Sequence, residues 1–465
     1  MRYILIFTTI FFLFISKING QLNSSFVEFL EETMTYLEEE VDPVGLSVSV
    51  RSGDDVWSHA IGISSMTDSL KTTSILAMGS ITKTFTSAGI LKLREENKLS
   101  FDDPIHKYLP RIDHVDSTIT IKELLNHTSG IHDYTFNPIY FPTLGLETAQ
   151  FYNYSPEEVL EQFLLEKVFD RGTRQEYSNT NYLLLGMIIT EIADRPFYEE
   201  IFDMFDISEN YPSVSYPPFN FDISELANLW ADFGNGFENI QEAGIGLNGL
   251  FSSVSSTGAF VGTADDLSKW GYDLYSGKLL SESSMEALFD YPPFLFDGLR
   301  EYGLGVINLD IECGVNAVGH DGAIFYGADL AYSEELDLSV AVMINGDREN
   351  SFSKIGSFLV IKEEILCGYA ELLMTSTEEV VEDEEVVIYP NPVNDIVHIQ
   401  LPQSLDFPLQ IDVYNQTGSL VHRQETPIVH QQSVDLNCFS EFSNGFYYIK
   451  ISDNKKAFTK KLVKI

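Results

Sequence analysis

Three short stretches of this 465-residue chain hold residue types that can move an acyl group. Ser80-Ile81-Thr82-Lys83 sets a hydroxyl and an amine three residues apart. On a helix such a pair shares a face, with Cβ atoms about 5–6 Å apart. A serine hydroxyl is a weak nucleophile until a neighbouring base takes its proton, and a helix start offers free backbone N–H groups behind it. Tyr177-Ser178-Asn179 comes just before an apolar run that opens at Tyr182. A phenol is protonated at neutral pH, but an adjacent ammonium such as that of Lys83 favours its anion, which can serve as base or relay a proton to a leaving group. Asn179 offers a donor and an acceptor to a substrate amide. In the third stretch, His320-Asp321-Gly322-Ala323, Gly322 lets a ligand backbone approach closely. The N–H of Ala323 can join that of Ser80 as an oxyanion hole, the term worth most in acyl transfer.

These residues need a scaffold, and hydrophobic periodicity supplies its outline. Phe26, Phe29, Leu30, Met34 and Leu37 mark a helix over Ser25–Glu40. Gly45–Val50 and Val56–Ile61 flank Ser52-Gly53-Asp54-Asp55 as a hairpin. A helix follows Ser80 to about Asn97, and another runs from Tyr182 to about Ala193. Leu330–Tyr332, Leu338–Ile344 and the His320 stretch read as strands, and a last helix spans about Ser353 to Met374. This order suggests an α/β (α+β) fold: a sheet with flanking helices, plus a helical subdomain. Ser252, Ser253, Ser255 and Ser256, with no lysine at helical spacing, read as loop. His59, His106, His114 and His132 lack metal-ligand spacing, and neither H-E-x-x-H nor G-x-S-x-G occurs. The chemistry therefore calls for no metal and no organic cofactor.

Charge and the chain ends narrow the setting. Lys and Arg number 28 against 70 Asp and Glu, a formal charge of -42. Such a surface repels phosphate backbones and anionic lipid, which argues against nucleic acid as a partner. Arg2 precedes an apolar run from Ile4 to Ile15, broken at Lys17-Ile18-Asn19-Gly20. That is the layout of a secretory signal peptide over residues 1–20, cut at Gly20/Gln21. A spanning helix needs about 20 apolar residues, so the run is too short for a transmembrane anchor. Three cysteines (Cys313, Cys367, Cys438) allow one bridge at most and leave one thiol over. Six acids within Glu378–Glu385 mark residues 373–386 as a solvated linker. Beyond it, residues 387–465 carry seven basic and seven acidic residues, so the negative charge lies upstream. Strands at Val386–Tyr389, Ile396–Leu401, Gln410–Tyr414, Phe446–Ile451 and Phe458–Lys464, divided by turns such as Gln416-Thr417-Gly418, read as a small all-β sandwich.

Two resemblances complete the reading. The S-x-x-K, Y-x-N and H-x-G order resembles the active-site triplet of the serine β-lactamase and penicillin-binding fold, in the branch of class C β-lactamases, D-peptidases and esterases. Lys98-Leu99-Ser100-Phe101-Asp102-Asp103-Pro104, Leu124-Leu125-Asn126-His127-Thr128-Ser129-Gly130, Thr263-Ala264-Asp265-Asp266-Leu267 and Tyr302-Gly303-Leu304-Gly305 extend the likeness. It covers roughly residues 25–370, within a hydrolase unit spanning 21–372. It implies an antiparallel sheet with a helical subdomain, Ser80 as nucleophile, Lys83 and Tyr177 moving the proton, and Asn179, His320 and Gly322 positioning substrate. His127 falls on a structural loop of the family. Tyr389-Pro390-Asn391-Pro392, Gly445-Phe446-Tyr447-Tyr448 and Lys460-Lys461-Leu462-Val463-Lys464 resemble the C-terminal sorting domain of type IX secretion. That implies passage through the periplasm, recognition by the secretion machinery, and release or attachment at the cell surface.

The expected activity is a secreted serine hydrolase that cleaves an ester or amide of a small molecule or peptide through a Ser80 acyl-enzyme. β-Lactamase and D-Ala-D-Ala carboxypeptidase or D-aminopeptidase chemistry are the alternatives, and a non-catalytic penicillin-binding or sensing module is the rival of another class. Two departures bear on the substrate. Residues 204–245 do not match the family's cleft wall, and His320-Asp321 replaces the lysine and hydroxyl of K-T-G. An Asp321 side chain turned to the cleft would repel a substrate carboxylate by up to about 4 kcal/mol, which points to neutral or amine-bearing substrates.

Overall fold

The computed structural model describes residues 22–464, apart from 218, 233–236, 243–245, 297, 312, 348–356, 377–385, 402–407, 416–418, 427–432 and 453–456. The signal segment 1–20, residues 353–356 of the expected last helix, most of the expected linker and the Gln416-Thr417-Gly418 turn lie outside the described residues.

A six-stranded antiparallel sheet is the spine of the hydrolase unit. Its strands are β1 (Gly45–Ser52), β2 (Asp55–Gly62), β3 (Ile307–Asp310), β4 (Asn316–Ile324), β5 (Tyr326–Ser333) and β6 (Leu338–Ile344), ordered β2-β1-β6-β5-β4-β3. The helices that matter to the site are α1 (Ser24–Tyr36), α2 (Thr82–Glu95), α3 (Asn179–Ala193), α4 (Asn248–Gly258), α5 (Ala264–Tyr275) and α6 (Val360–Ser376). β1, β5 and β6 are buried along their whole length because helices cover both faces of the sheet. Val48, Val50, Val340, Val342 and Ala331 share one core with Phe26 and Leu30 of α1 and Ile365 of α6. Ala328, Leu330 and Met343 share the other with α5 and the helical subdomain. The expected α1 face is confirmed, with Phe26 stacked 4.3 Å from Tyr369 of α6.

Inside the subdomain α3 is buried on nearly every side over its first three turns. A Cβ on Gly186 would stand 2.2 Å from Ser256 Oγ, so only glycine lets α3 and α4 cross this closely. The serine cluster read as loop is therefore buried in a helix that kinks at Ser255, where φ is 38°. Its hydroxyls return to backbone: Ser256 Oγ donates to Tyr182 O, and Ser252 Oγ accepts from Tyr154 N. Their polarity hid the helix from a hydrophobic-period reading.

α6 runs through Ser376, so residues 373–376 extend the hydrolase unit rather than open the linker. After it, two sheets close around Ile399, Val413, Leu436 and Ile449. One has strands Val387–Tyr389, Val397–Gln400 and Ser433–Leu436; the other has Leu420–Thr426, Leu409–Asn415, Gly445–Ser452 and Ala457–Lys464. The five expected strands are present. Two more, Leu420–Thr426 and Ser433–Leu436, are polar edge strands that hydrophobic runs do not reveal.

The single bridge joins Cys313 to Cys367, and Cys438 stays a free thiol. It ties the segment before β4 to α6 across 54 residues, a closure worth about 4 kcal/mol in a chain-entropy account. Replacing both cysteines by serine is expected to cost about 2–4 kcal/mol of unfolding free energy. Denaturant melts of the two proteins measure it, and an unchanged midpoint would refute the estimate.

Candidate active site

Ser80 sits in a tight helical turn, Gly79–Ile81, that runs straight into α2. One turn further on, Lys83 is fully buried and reaches back to it. Its Nζ lies 3.0 Å from Ser80 Oγ, 2.8 Å from Asn179 Oδ1 and 2.7 Å from the carbonyl of Thr257. An ammonium has three donors and here three acceptors, so the charged form is fully matched. Burial nevertheless wins over the attraction of Asp133 and Asp321 and pulls the Lys83 pKa down to about 7. The neutral amine keeps two donors for Asn179 and Thr257 and turns its lone pair to the Ser80 hydroxyl.

Each acceptor has a structural origin. Asn179 is the first residue of α3, and its Nδ2 and backbone N both donate to Asp133 Oδ2, at 2.8 and 3.0 Å. Asp133 is locked in turn by the N–H and hydroxyl of Thr135 on its other oxygen. Thr257 O belongs to the last turn of α4, where carbonyls lack a helical partner. Asn179 therefore has both ends of its amide bonded to the protein while it also lines the cleft. It holds the lysine.

The strand side is built by glycine. Gly79 has φ 53°, and a Cβ on it would stand 2.7 Å from Ala323 N; a Cβ on Gly322 would stand 2.1 Å from Met78 O and 3.1 Å from Ser80 N. Gly322 thus serves the seating of β4 on the Ser80 turn. That seating sets the N–H groups of Ser80 and Ala323 beside each other. The cleft in front of them, about 180 Å³, is lined by Ser80, Thr135, Asn179, Thr257 and Ala323 on its polar side. Tyr140, Phe141, Leu250, Val254, Ile324 and Phe325 form the rest of its wall.

A family model described as Beta-lactamase matches residues 32–361, which is more than half of the chain. The chain belongs to the β-lactamase family. A second family model, described as Secretion system C-terminal sorting domain, matches residues 387–465. Among curated relatives, a putative penicillin-binding protein of Bacillus subtilis is 25% identical over 71% of this chain and 72% of its own. Penicillin-binding protein 4* of the same organism is 29% identical over 34% of each, so this chain spans about a third of that relative. A D-stereospecific amidohydrolase from Streptomyces sp. superposes with a TM-score of 0.61 at 24% identity, covering 73% of this chain and 98% of that one. A penicillin-binding protein from Bacillus halodurans gives 0.60 at 22% identity, covering 72% and 99%. These structures share the fold.

Within this β-lactamase fold, three sequence expectations change. The phenol of Tyr177 is buried, and burial, with Asp321 and Asp133 adding to it, raises its pKa well above 10 despite the neighbouring Ser80 hydroxyl. The Lys83 amine lies over the face of the Tyr177 ring, 4.9 Å from its centre. The expected anion is disfavoured, and the phenol stays protonated.

His320 lies on the Tyr177 side of the sheet, and the protein engages both its ring nitrogens. Its Nδ1 is 2.5 Å from the carbonyl of Asp321, which places the ring proton there, and Nε2 accepts from the Tyr302 hydroxyl at 3.0 Å. Burial lowers its pKa to about 4, so it is neutral. Asp321 pairs with Arg300 at 3.2 Å. It alternates with His320 along β4 and sits opposite Asp329, itself paired with Lys362 of α6, on the sheet face away from the cleft. The expected Asp321–carboxylate repulsion therefore loses its geometry.

Asp133 and Thr257 O were not singled out from sequence, and Tyr302 entered only within the Tyr302-Gly303-Leu304-Gly305 segment, with no role of its own. Of the first two, only Asp133 left a trace: it follows the Leu124–Gly130 segment and has Thr135 two residues on, a pattern for a side-chain-closed turn. His127 is a packing residue. It stacks 4.4 Å from Tyr177 and accepts from Ser178 N, fixing the segment that carries Asn179.

Asp133 attracts the Lys83 ammonium, so removing its charge leaves the amine less basic. Labelling of Ser80 by a fluorophosphonate is expected to fall as pH drops through about 7, because protonation consumes the lone pair facing Ser80. In Asp133→Asn, which keeps an acceptor for Asn179, that limb moves to lower pH. A pH profile of labelling rate tests this, and an unmoved or upward-moved limb contradicts the assignment.

Proposed function

We propose that the protein is a secreted serine hydrolase that acts on neutral esters or amides through an acyl-enzyme on Ser80. The observation that carries the reading is the buried Lys83 amine 3.0 Å from Ser80 Oγ, with a pKa near neutrality. Such a base can take a serine proton at pH 7, whereas a solvated lysine, with an unperturbed pKa near 10.4, cannot.

In the proposed cycle Lys83 Nζ takes the Ser80 proton and Oγ bonds to the substrate carbonyl carbon. The N–H groups of Ser80 and Ala323 hold the resulting oxyanion. On collapse the bond to the leaving group breaks, and the leaving group takes the proton from Lys83 through the protonated Tyr177 hydroxyl. Water then attacks the acyl-serine and its proton passes to Lys83; as the Oγ–acyl bond breaks and the acid departs, Lys83 returns that proton to Ser80 Oγ. Asn179 and Asp133 position the amine throughout. No cofactor enters any step.

Among the described residues lining the cleft none is charged, and His320, in the place of the family's K-T-G lysine, is neutral and committed to Tyr302. A substrate carboxylate would meet no cation there. This supports neutral esters and amides over β-lactams and D-Ala-terminated peptides, on different grounds from an Asp321 repulsion. The solved D-stereospecific amidohydrolase and D-amino acid amidase structures keep a second reading, a D-selective amidase, in view.

The C-terminal unit matches a secretion sorting domain and has its own core. We assign it to type IX export, with residues 1–20 as the signal that first delivers the chain to the periplasm. The machinery at the outer membrane is then its partner.

Ser80→Ala is expected to lower turnover of a p-nitrophenyl ester by at least about 10³-fold and to abolish fluorophosphonate labelling. The native enzyme should show a higher kcat/KM on that ester than on nitrocefin. Half-retained activity in the variant would overturn the mechanism, and efficient nitrocefin cleavage would overturn the substrate reading. Deleting residues 387–465 should leave hydrolysis intact and retain the enzyme in the cell envelope. Fractionated cultures of the native host measure this, and normal release of the truncated enzyme would refute the export role.

A further inference from the structure

The catalytic cleft does not end at the acyl carbon. A second cavity of about 380 Å³ opens beside it, lined by Leu144, Gly145, Gln150, Ile240, Gly246 and Leu247. Phe141, Leu250 and Phe325 line both spaces. The rings of Phe141 and Phe325 meet edge to face with centroids 5.9 Å apart, yet the two residues stay 51% and 41% exposed. Two half-exposed phenylalanines at the mouth of a mostly apolar groove are unfavourable in water and suited to an apolar ligand. Phe325 is also the single residue between β4 and β5 and holds φ 64°. A bulky side chain in the left-handed region is rare, and such strain gathers at ligand sites.

Direction follows from the reaction centre. The nucleophile is Ser80 Oγ and the oxyanion faces the Ser80 and Ala323 N–H groups. The leaving group must stay near the proton carried by Lys83 and Tyr177, and neither residue lines the cleft or the groove. The wall that leads into the groove continues from Ala323, whose N–H faces the oxyanion, through Ile324 to Phe325. The substituent that follows this wall is the acyl group.

We propose that the enzyme selects substrates with an extended apolar acyl group, a medium-length alkanoyl or arylalkanoyl chain. The chain lies across Phe141 and Phe325 and ends among Leu144, Ile240, Leu247 and Leu250. Ile240 comes from residues 204–245, the stretch that departs from the family pattern, and Leu247 follows just beyond it. This inference rests on the serine hydrolase reading and specifies its substrate.

The test uses the full-length protein and p-nitrophenyl esters from acetate through butyrate to octanoate and phenylbutyrate. A matched set of acetate esters carries the same chains on the leaving alcohol instead. The kcat/KM is expected to rise at least tenfold from acetate to octanoate, with less than a threefold change across the leaving-group set. Gly145 offers a site for filling the groove: its φ is -71°, and a Cβ there meets nothing closer than 3.6 Å. In Gly145→Phe the octanoate-to-acetate ratio should fall to within threefold of unity, and Gly145→Leu serves as a smaller filling if the first variant does not fold. A flat acyl series, a gain that follows the leaving-group chain, or a variant that keeps the native ratio would overturn the proposal. If Ser80 labels with a short fluorophosphonate and the acyl series is flat, only this inference fails. If Ser80 neither labels nor turns over any ester, the hydrolase reading beneath it fails.

Discussion

Taking the Lys83 amine out of water is the constraint around which the unit is built. Moving its pKa from 10.5 to about 7 corresponds to roughly 5 kcal/mol of lost preference for the charged form. A buried amine tolerates this only with its donors matched, and the matching groups come from three separate segments: the Ser80 turn, the start of α3 and the end of α4. Glycines at 79, 186 and 322 are the points where that convergence would otherwise fail, since a Cβ at each would strike backbone or a buried side chain.

The polar parts of the site are also arranged in layers. Lys83 is held by Asn179, Asn179 by Asp133, and Asp133 by Thr135. On the other side, His127 packs against Tyr177 and, edge to face, against Tyr302, and Tyr302 donates to His320. The aromatic layer keeps water from the amine and leaves a neutral imidazole where a cation would hold a carboxylate. Carboxylate recognition and deep desolvation compete for this position, and here desolvation prevails. The same side of the site has a largely apolar cleft wall.

The chain divides its charge as it divides its labour. The hydrolase unit and the joint carry the negative excess, while residues 387–465 are balanced and fold around a core of their own. A single disulfide joins α6 to the segment before β4. Disulfides persist in oxidising compartments, and the two units, each with its own core, meet where Tyr36 packs on Phe446 and Lys461 pairs with Glu364.

Much was fixed by local chemistry alone. Helical spacing of Ser80 and Lys83 placed them on one face, apolar periodicity found α1 and the β1–β2 hairpin, and charge composition separated the two units. Those signals are short-range, so residues near in sequence suffice to read them. Tertiary structure decided the rest. Whether Tyr177 is an anion depends on burial and on which part of its ring meets the amine, and neither leaves a mark in a tripeptide. Whether Asp321 faces the cleft depends on the parity of β4 and on Arg300 from a distant loop. The serines of α4 look like loop because they are polar, and partners such as Tyr154 N, Tyr182 O and the Tyr216 hydroxyl come near only in the folded chain. Residue types and their spacing named the participants; desolvation and long-range contacts assigned their protonation, direction and partners, because electrostatic free energy depends on the whole surrounding volume.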